Sequence, residues 1–209
     1  LASVLFGLRQ PVSGDVLIDG LPITSRSVRE AIDNGIFMVP EDRANNAVVP
    51  DFTIRQNMTL PFLRKFFSSP LGILKHGFES EEASRMVEAM GVKCESETAN
   101  IGELSGGNQQ KVVVARWLMT NFNLLILDEP FQGVDIRSRH DINAYIHANR
   151  GDRAILMLAA DLDEVLEVAD RVIVMNHGMI VGEQPINNID RQTLLHWTSQ
   201  SPDELEMQV

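Results

Sequence analysis

A chain of 209 residues with 44% hydrophobic and 22% charged residues is long enough for one soluble α/β domain with its own core, with room for a subdomain. The formal net charge of -11, from 18 Lys and Arg against 29 Asp and Glu, argues against a nucleic-acid surface, which needs a basic footprint. The longest apolar runs fall short of a membrane span and the first residues do not read as a secretory leader; the single cysteine, Cys94, excludes an internal disulfide framework, suits a reducing compartment and is expected to pack as a small hydrophobe.

In chain order, residues 1–8 (LASVLFGL) read as the tail of a helix ended near Gly7. Residues 11–20 (PVSGDVLIDG) read as a turn, a short strand and another turn. A helix is predicted over 27–34, with Ser27 as N-cap and Gly35 just past its end. A strand follows at 36–39 and runs into Pro40-Glu41-Asp42-Arg43, which on its residues alone is a charged surface turn. Between 52 and 99 the pattern is helical and less regular: residues 53–57 open one helix, and 79–90 form another that Gly91 stops. Phe62, Phe66 and Phe67 in this stretch suit either a docking surface or the core, and aromatic residues at helical spacing favour the core.

Residues 104–135, LSGGNQQKVVVARWLMTNFNLLILDEPFQGVD, organise the rest. Ser105 is a good N-cap, and Gly106 and Gly107 open a helix in which Val112, Ala115, Leu118 and Met119 recur at helical spacing. Such a start leaves backbone N–H groups and a positive dipole end free for an anion, with no side chains to hold a phosphate away. Leu124-Leu125-Ile126-Leu127 is apolar without alternation, as in a parallel strand covered on both faces. It ends at Asp128-Glu129-Pro130, and ligands of open α/β sheets sit beyond the carboxyl ends of strands. There Asp128 suits Mg²⁺, and Glu129 suits orienting or deprotonating a water. Taken singly, each piece also reads as an ordinary capped helix or a solvated turn.

Their order and spacing resemble the ATP-binding subunits of ABC transporters, with 104–109 as the signature motif, 124–129 as the Walker B strand and Gly133-Val134-Asp135 as the D-loop. The resemblance implies an α/β, P-loop NTPase-like core with a parallel sheet and a helical subdomain. The subdomain falls at about 52–120, the core at 1–51 and 121–185, and a C-terminal tail at 186–209. No G-x-x-x-x-G-K-[ST] run occurs in the sequence; the alignment puts it just before Leu1, so the chain is expected to be N-terminally truncated. The implied cofactors are ATP and Mg²⁺. Nucleotide contacts are expected from Ser105, Gly106, Gly107, Gln109, Asp128, Glu41 and Asp135, with Asp128 holding Mg²⁺ through water and Glu129 as the catalytic base. Glu41 stands where most ABC ATPases carry a glutamine, and the Glu41-Asp42-Arg43 loop resembles the second half of fused monosaccharide importers of the ribose, xylose and galactose type.

Beyond Asp135 a helix is predicted at 137–149 and a strand at 154–158. Ala159-Ala160-Asp161 follows, where the family places a γ-phosphate-sensing histidine, and Phe131-Gln132 replaces the Thr-Arg usual in these importers. A helix capped by Asp161 at 161–169, a strand at 171–175, a turn at Asn176-His177-Gly178 and a strand at 179–183 complete the pattern. After Asp190 a short helix containing Trp197 is expected, then an acidic, disordered end. His76, His140, His147 and His196 lack metal-ligand spacing, and His177 is a turn residue. The implied activity is that of a sugar importer's ATPase, peripheral on the inner face of the membrane. Its partners would be the transmembrane permease, a second nucleotide-binding half paired head to tail and, indirectly, a periplasmic sugar-binding protein. Alternatives are an impaired half that donates its signature motif to the partner's site, suggested by Glu41 and Ala160, and a non-transport ABC ATPase, which the acidic balance disfavours. Truncation would also leave apolar sheet surface exposed and invite self-association.

Overall fold

Every residue of the segment Ile36–Val39 is buried, and so are Leu125, Ile126 and Leu127, as expected of β-branched and aliphatic runs that form the middle of a sheet covered on both faces. The computed structural model describes residues 1–23 and 25–199. It divides into two units, Leu1–Leu158 and Ala159–Val209. The predicted boundaries near 51, 120 and 185 do not coincide with this division.

In the first unit, α1 (Ala2–Leu5) is followed by an antiparallel pair, β1 (Val16–Ile18) and β2 (Leu21–Ile23), then α2 (Val28–Asp33) and β3 (Ile36–Val39). The turn before β2 holds Asp19 and Gly20 at positive φ, so the chain doubles back where the sequence reading saw one strand only. Ser27 caps α2 by accepting from the Glu30 N–H at 3.2 Å, and Gly35 ends it at φ 73°. Next come α3 (Arg43–Asn46), α4 (Ile54–Thr59), α5 (Leu63–Phe66), α6 (His76–Ala89), α7 (Gly106–Leu118), β4 (Leu124–Asp128), α8 (Ile136–Asn149) and β5 (Ala154–Leu158). The sheet is parallel in the order β3-β4-β5, with Ile36 opposite Leu124 and Leu124 opposite Ala154. Thr53 and Gln56 form a capping box at the start of α4.

Helix α7 is buried along most of its length, from Gly107 to Trp117. The Trp117 ring stacks on Phe37 of β3 at 4.9 Å and meets Phe62 edge-on at 5.8 Å. Phe62 and Phe67 are core residues, whereas Phe66 is exposed. Cys94 is half-buried against the same core, and desolvation pushes its thiol pKa up. Loop 47–53 is tied down by Asn57, whose Oδ1 accepts from the Val49 N–H at 2.9 Å and whose Nδ2 donates to the Val49 and Thr53 carbonyls, both at 3.1 Å.

The second unit contains α9 (Leu162–Val168), capped by Asp161, and the antiparallel pair β6 (Arg171–Asn176) and β7 (Met179–Pro185). His177 and Gly178 both take positive φ in the turn between the strands, as a two-residue hairpin requires. Helix α10 (Arg191–Ser199) lays Trp197 against Gly182, where a Cβ would come within 2.3 Å of the ring. The acidic end predicted after this helix lies outside the described residues.

Asn57 is fully buried, so its truncation leaves the Val49 N–H without its partner, while the Val49 carbonyl keeps the Phe52 N–H at 3.1 Å. Asn57→Ala is expected to lower stability by about 3 kcal/mol, read as a shifted midpoint in urea denaturation; a loss under about 1 kcal/mol would show that the loop is held by other contacts.

Candidate functional site

The carboxyl ends of β3 and β4 and the N-terminus of α7 carry the residues singled out by the sequence. Ser105 takes the extended backbone of an N-cap but its hydroxyl caps nothing. The Oγ instead accepts from Asn108 Nδ2 at 2.9 Å, and Asn108 is itself held by the Lys93 N–H on its Oδ1 at 2.9 Å. The sequence reading of Ser105 is corrected to that extent: a fixed amide one turn on captures the hydroxyl. Among the described residues nothing accepts from the N–H groups of Gly106 and Gly107. Helix starts of this kind bind anions.

The two glycines also answer to close packing. A Cβ on Gly107 would lie 2.6 Å from both Asp135 Oδ2 and Ser138 Oγ, and one on Gly106 would lie 2.7 Å from Arg43 Nη2. The space is therefore filled first by this chain's own side chains. Asp135 is the N-cap of α8, accepting from the Ser138 N–H at 3.0 Å and from Ser138 Oγ at 2.8 Å. Those bonds hold its carboxyl below the usual aspartate range.

Arg43 was read as part of the Glu41-Asp42-Arg43 loop without a contact of its own, and it lies at the centre of this cluster. Asp42 caps α3 by accepting from the Asn45 N–H at 3.1 Å, which sets Arg43 at the first turn. Its Nη1 donates to the Gln132 carbonyl at 2.9 Å, and the guanidinium lies across Gly106 and Gly133. Gln132 N–H in turn donates to the Glu129 carbonyl at 3.3 Å. The legible signal was an arginine just past the end of a buried strand, where ligands of α/β sheets bind.

Asp128 ends β4, half-buried and opposite Leu158. Glu129 follows at φ 45° with its N–H donated to the Leu158 carbonyl at 2.9 Å. Positive φ is uncommon for a residue with a Cβ and tends to mark functional positions. Glu41 is exposed, and its carbonyl accepts from the Arg43 N–H at 3.1 Å. Gln109 turns back, with Nε2 donating to the carbonyls of Ile101 and Leu104, each at 3.3 Å. Gly106, Gly107, Asp135 and Arg43 are thus brought together, and Glu129 is joined to them through Gln132. No group of three or more His, Cys, Asp or Glu side chains able to hold a metal occurs among the described residues.

This is the arrangement of an α/β nucleotide-binding cassette, and the comparisons agree. The ABC transporter family pattern matches residues 1–132, and the chain belongs to that family. It is 39% identical to the arabinose import ATP-binding protein AraG of Pectobacterium atrosepticum over 86% of this chain and 35% of that protein. It is 40% identical to the ribose import ATP-binding protein RbsA of Chelativorans sp. over 93% of this chain and 38% of that protein. The chain therefore spans little more than a third of the length of these relatives. Among solved structures, a dimeric post-hydrolysis ATP-binding cassette bound to ADP and phosphate superimposes with TM-score 0.74 at 20% identity, covering 90% of this chain and 80% of that one. A nucleotide-free cassette gives 0.71 at 23% identity, covering 100% and 81%. At these identities the structures establish the fold.

Gly107→Ala is expected to push the start of α8 away and cost about 1–3 kcal/mol, with Ser138→Gly recovering part of it; an unchanged urea midpoint would contradict the packing role. Because its folded pKa is depressed, ionised Asp135 contributes stability above the unfolded value of 3.8, and the contribution is lost as pH falls through the lower folded pKa. Asp135→Asn should therefore flatten the acid limb of a stability-against-pH profile and leave its alkaline limb unchanged.

Proposed function

We propose that this chain is the ATP-binding part of an ABC-type sugar importer, working with transmembrane permease subunits and a second nucleotide-binding half paired head to tail. The observation that carries the reading is the start of α7: unpartnered N–H groups at Gly106 and Gly107 beside the Arg43 guanidinium, a constellation suited to phosphate oxygens. The names of the relatives, arabinose and ribose import ATP-binding proteins, support sugar as cargo. No helix among the described residues is long and apolar enough to cross a membrane, in keeping with a subunit that works on the cytoplasmic face with the permease.

ATP supplies the phosphoanhydride to be cleaved and Mg²⁺ the countercharge. One or two carboxylates plus phosphate oxygens satisfy Mg²⁺, so Asp128 alone, acting through water, suits it better than a dedicated acidic cage. In this scheme Gly106, Gly107 and Arg43 hold the terminal phosphate oxygens of nucleotide seated on the partner half. Glu129 orients and deprotonates the attacking water. No G-x-x-x-x-G-K-[ST] run lies within these 209 residues, so the phosphate cradle is not among the contributions of this stretch.

A second reading, a half that binds and signals but turns over slowly, is favoured by Glu41 and by Ala159-Ala160 after β5. Glu129→Gln in the assembled transporter separates the two. Loss of ATP turnover by about 100-fold or more, with nucleotide binding retained, is the outcome expected of a catalytic base. Unchanged turnover assigns the chemistry to the partner half, and absence of ATP binding in the assembled protein overturns both readings.

A further inference from the structure

The backbone N–H groups of Gly106, Gly107 and Asn108 open α7 without an acceptor among the described residues. A serine at the N-cap ordinarily takes the N–H of the second or third helical residue on its side-chain oxygen. Ser105 does not, because its Oγ already accepts from the Asn108 side chain at 2.9 Å. The chain thus carries a cap residue that caps nothing, and Asn108 is the reason.

The orientation of that amide is set from outside the helix. Lys93, in the loop that follows α6, presents a backbone N–H at 2.9 Å from Asn108 Oδ1, and such a group can only donate. The carbonyl end of the amide must therefore face Lys93, and the NH₂ end must face Ser105. Asn108 is only 9% exposed, so water does not compete freely for either end. An NH₂ group cannot accept a hydrogen bond. The Ser105 hydroxyl must then accept with its oxygen and send its own hydrogen elsewhere, and among the described residues no group accepts it. Ser105 is exposed, which leaves that hydrogen available to a ligand at the helix start.

We propose that Asn108 is a positioning residue for phosphate: it turns the Ser105 hydroxyl from a helix cap into an O–H donor and leaves the N–H groups beside it free to donate. The proposal rests on the reading that the start of α7 faces the terminal phosphate of nucleotide seated on the partner half. Ser105 then meets a phosphoryl oxygen with a hydrogen rather than a lone pair. Donors fixed before charge develops cost no reorganisation when it does. The Asp135 carboxylate against Gly107 opposes an anion here, so the direction of each nearby hydroxyl counts. With a carboxylate in place of the amide, the hydroxyl would donate inward and turn its lone pairs toward the anion.

ATP turnover of the assembled transporter tests this in Ser105→Ala, Asn108→Ala, Asn108→Asp and the double variant Ser105→Ala with Asn108→Ala. Ser105→Ala is expected to lower kcat about 100-fold and Asn108→Ala about tenfold. The KM for ATP should hold in both, because the nucleotide is seated on the other half. Asn108→Asp keeps the shape of the side chain and the bond from Lys93 but cannot donate to Ser105, so it should be at least as slow as Asn108→Ala, and it carries the test if that variant does not assemble. The double variant should be no slower than Ser105→Ala, because Asn108 acts through the hydroxyl alone. Losses that multiply in the double variant overturn the proposal and leave the nucleotide reading standing. So does wild-type turnover in Asn108→Asp while Ser105→Ala is slow. Unchanged turnover in Ser105→Ala overturns the nucleotide reading of the helix start, and the proposal with it.

Discussion

A buried guanidinium with no carboxylate partner among the described residues holds the first unit together. Arg116 is 6% exposed; its Nε donates to the Asn57 carbonyl and its Nη2 to the Ala47 carbonyl, both at 2.7 Å. Desolvation pushes its pKa down to about 10, which still leaves it charged at neutral pH. The charge is useful because both acceptors are at or near helix ends, where carbonyls lack intrahelical partners and the dipole favours a cation. Lys111 repeats the device one face away, donating to the Gly91 carbonyl just past α6 at 3.1 Å and to Asp141 of α8 at 2.7 Å. Helix α7 is thus fastened to α3, α4, α6 and α8 by its own side chains, and the direction of its N-terminus is set by those bonds.

That direction matters because the environment of the N-terminus is electrostatically mixed. The Asp135 carboxylate lies against Gly107 and opposes any anion approaching the helix start, although each of its oxygens already accepts one hydrogen bond from Ser138. Arg43 supplies the compensating positive charge on the Gly106 side. The same arginine bonds to Gln132, so the loop after β3, the start of α7 and the turn after β4 share one side chain. Displacing the loop at 40–43 would alter the charge at the helix start and the turn that begins at Glu129 together, which is the kind of shared element through which two sites can be coupled.

Much of this architecture was legible in the sequence because it rests on local chemistry. Ser27 and Asp161 cap helices, Thr53 opens α4, Gly35 and Gly91 end helices at positive φ, and the strands at Ile36–Val39 and Ala154–Leu158 fall where the apolar runs stand, whereas the capping role of Asp135, read as a nucleotide contact, emerges only in the fold. What was not legible depends on who is near whom. Ser105 has the residue type and backbone of a cap, but Asn108, fixed by Lys93 from a distant loop, takes its hydroxyl. Gly107 reads as a phosphate-admitting glycine, and only the fold reveals Asp135 and Ser138 in the volume its Cβ would need. The importance of Arg43 depends on Gln132, 89 residues away, a separation that no periodicity reports. Strand β2 was missed because Leu21-Pro22-Ile23 is short and carries a proline, which reads as a turn.

Glu129 is where backbone and side chain make opposing demands. The chain must leave β4 sharply after Asp128, and it does so with a residue at φ 45°. Glycine adopts that conformation at no steric cost, whereas a residue with a Cβ is strained by about 1–3 kcal/mol. The surroundings hold it there: the Glu129 N–H extends the β4–β5 ladder to Leu158, and its carbonyl accepts from Gln132 in a turn that Arg43 secures from outside. If turning the chain were all this position had to do, glycine would do it better. A glutamate kept in a strained turn, next to an aspartate at the carboxyl end of a buried parallel strand, is better explained by the work of its carboxylate than by its backbone. That physical argument, more than the motif, supports the proposal that Glu129 takes the chemical step.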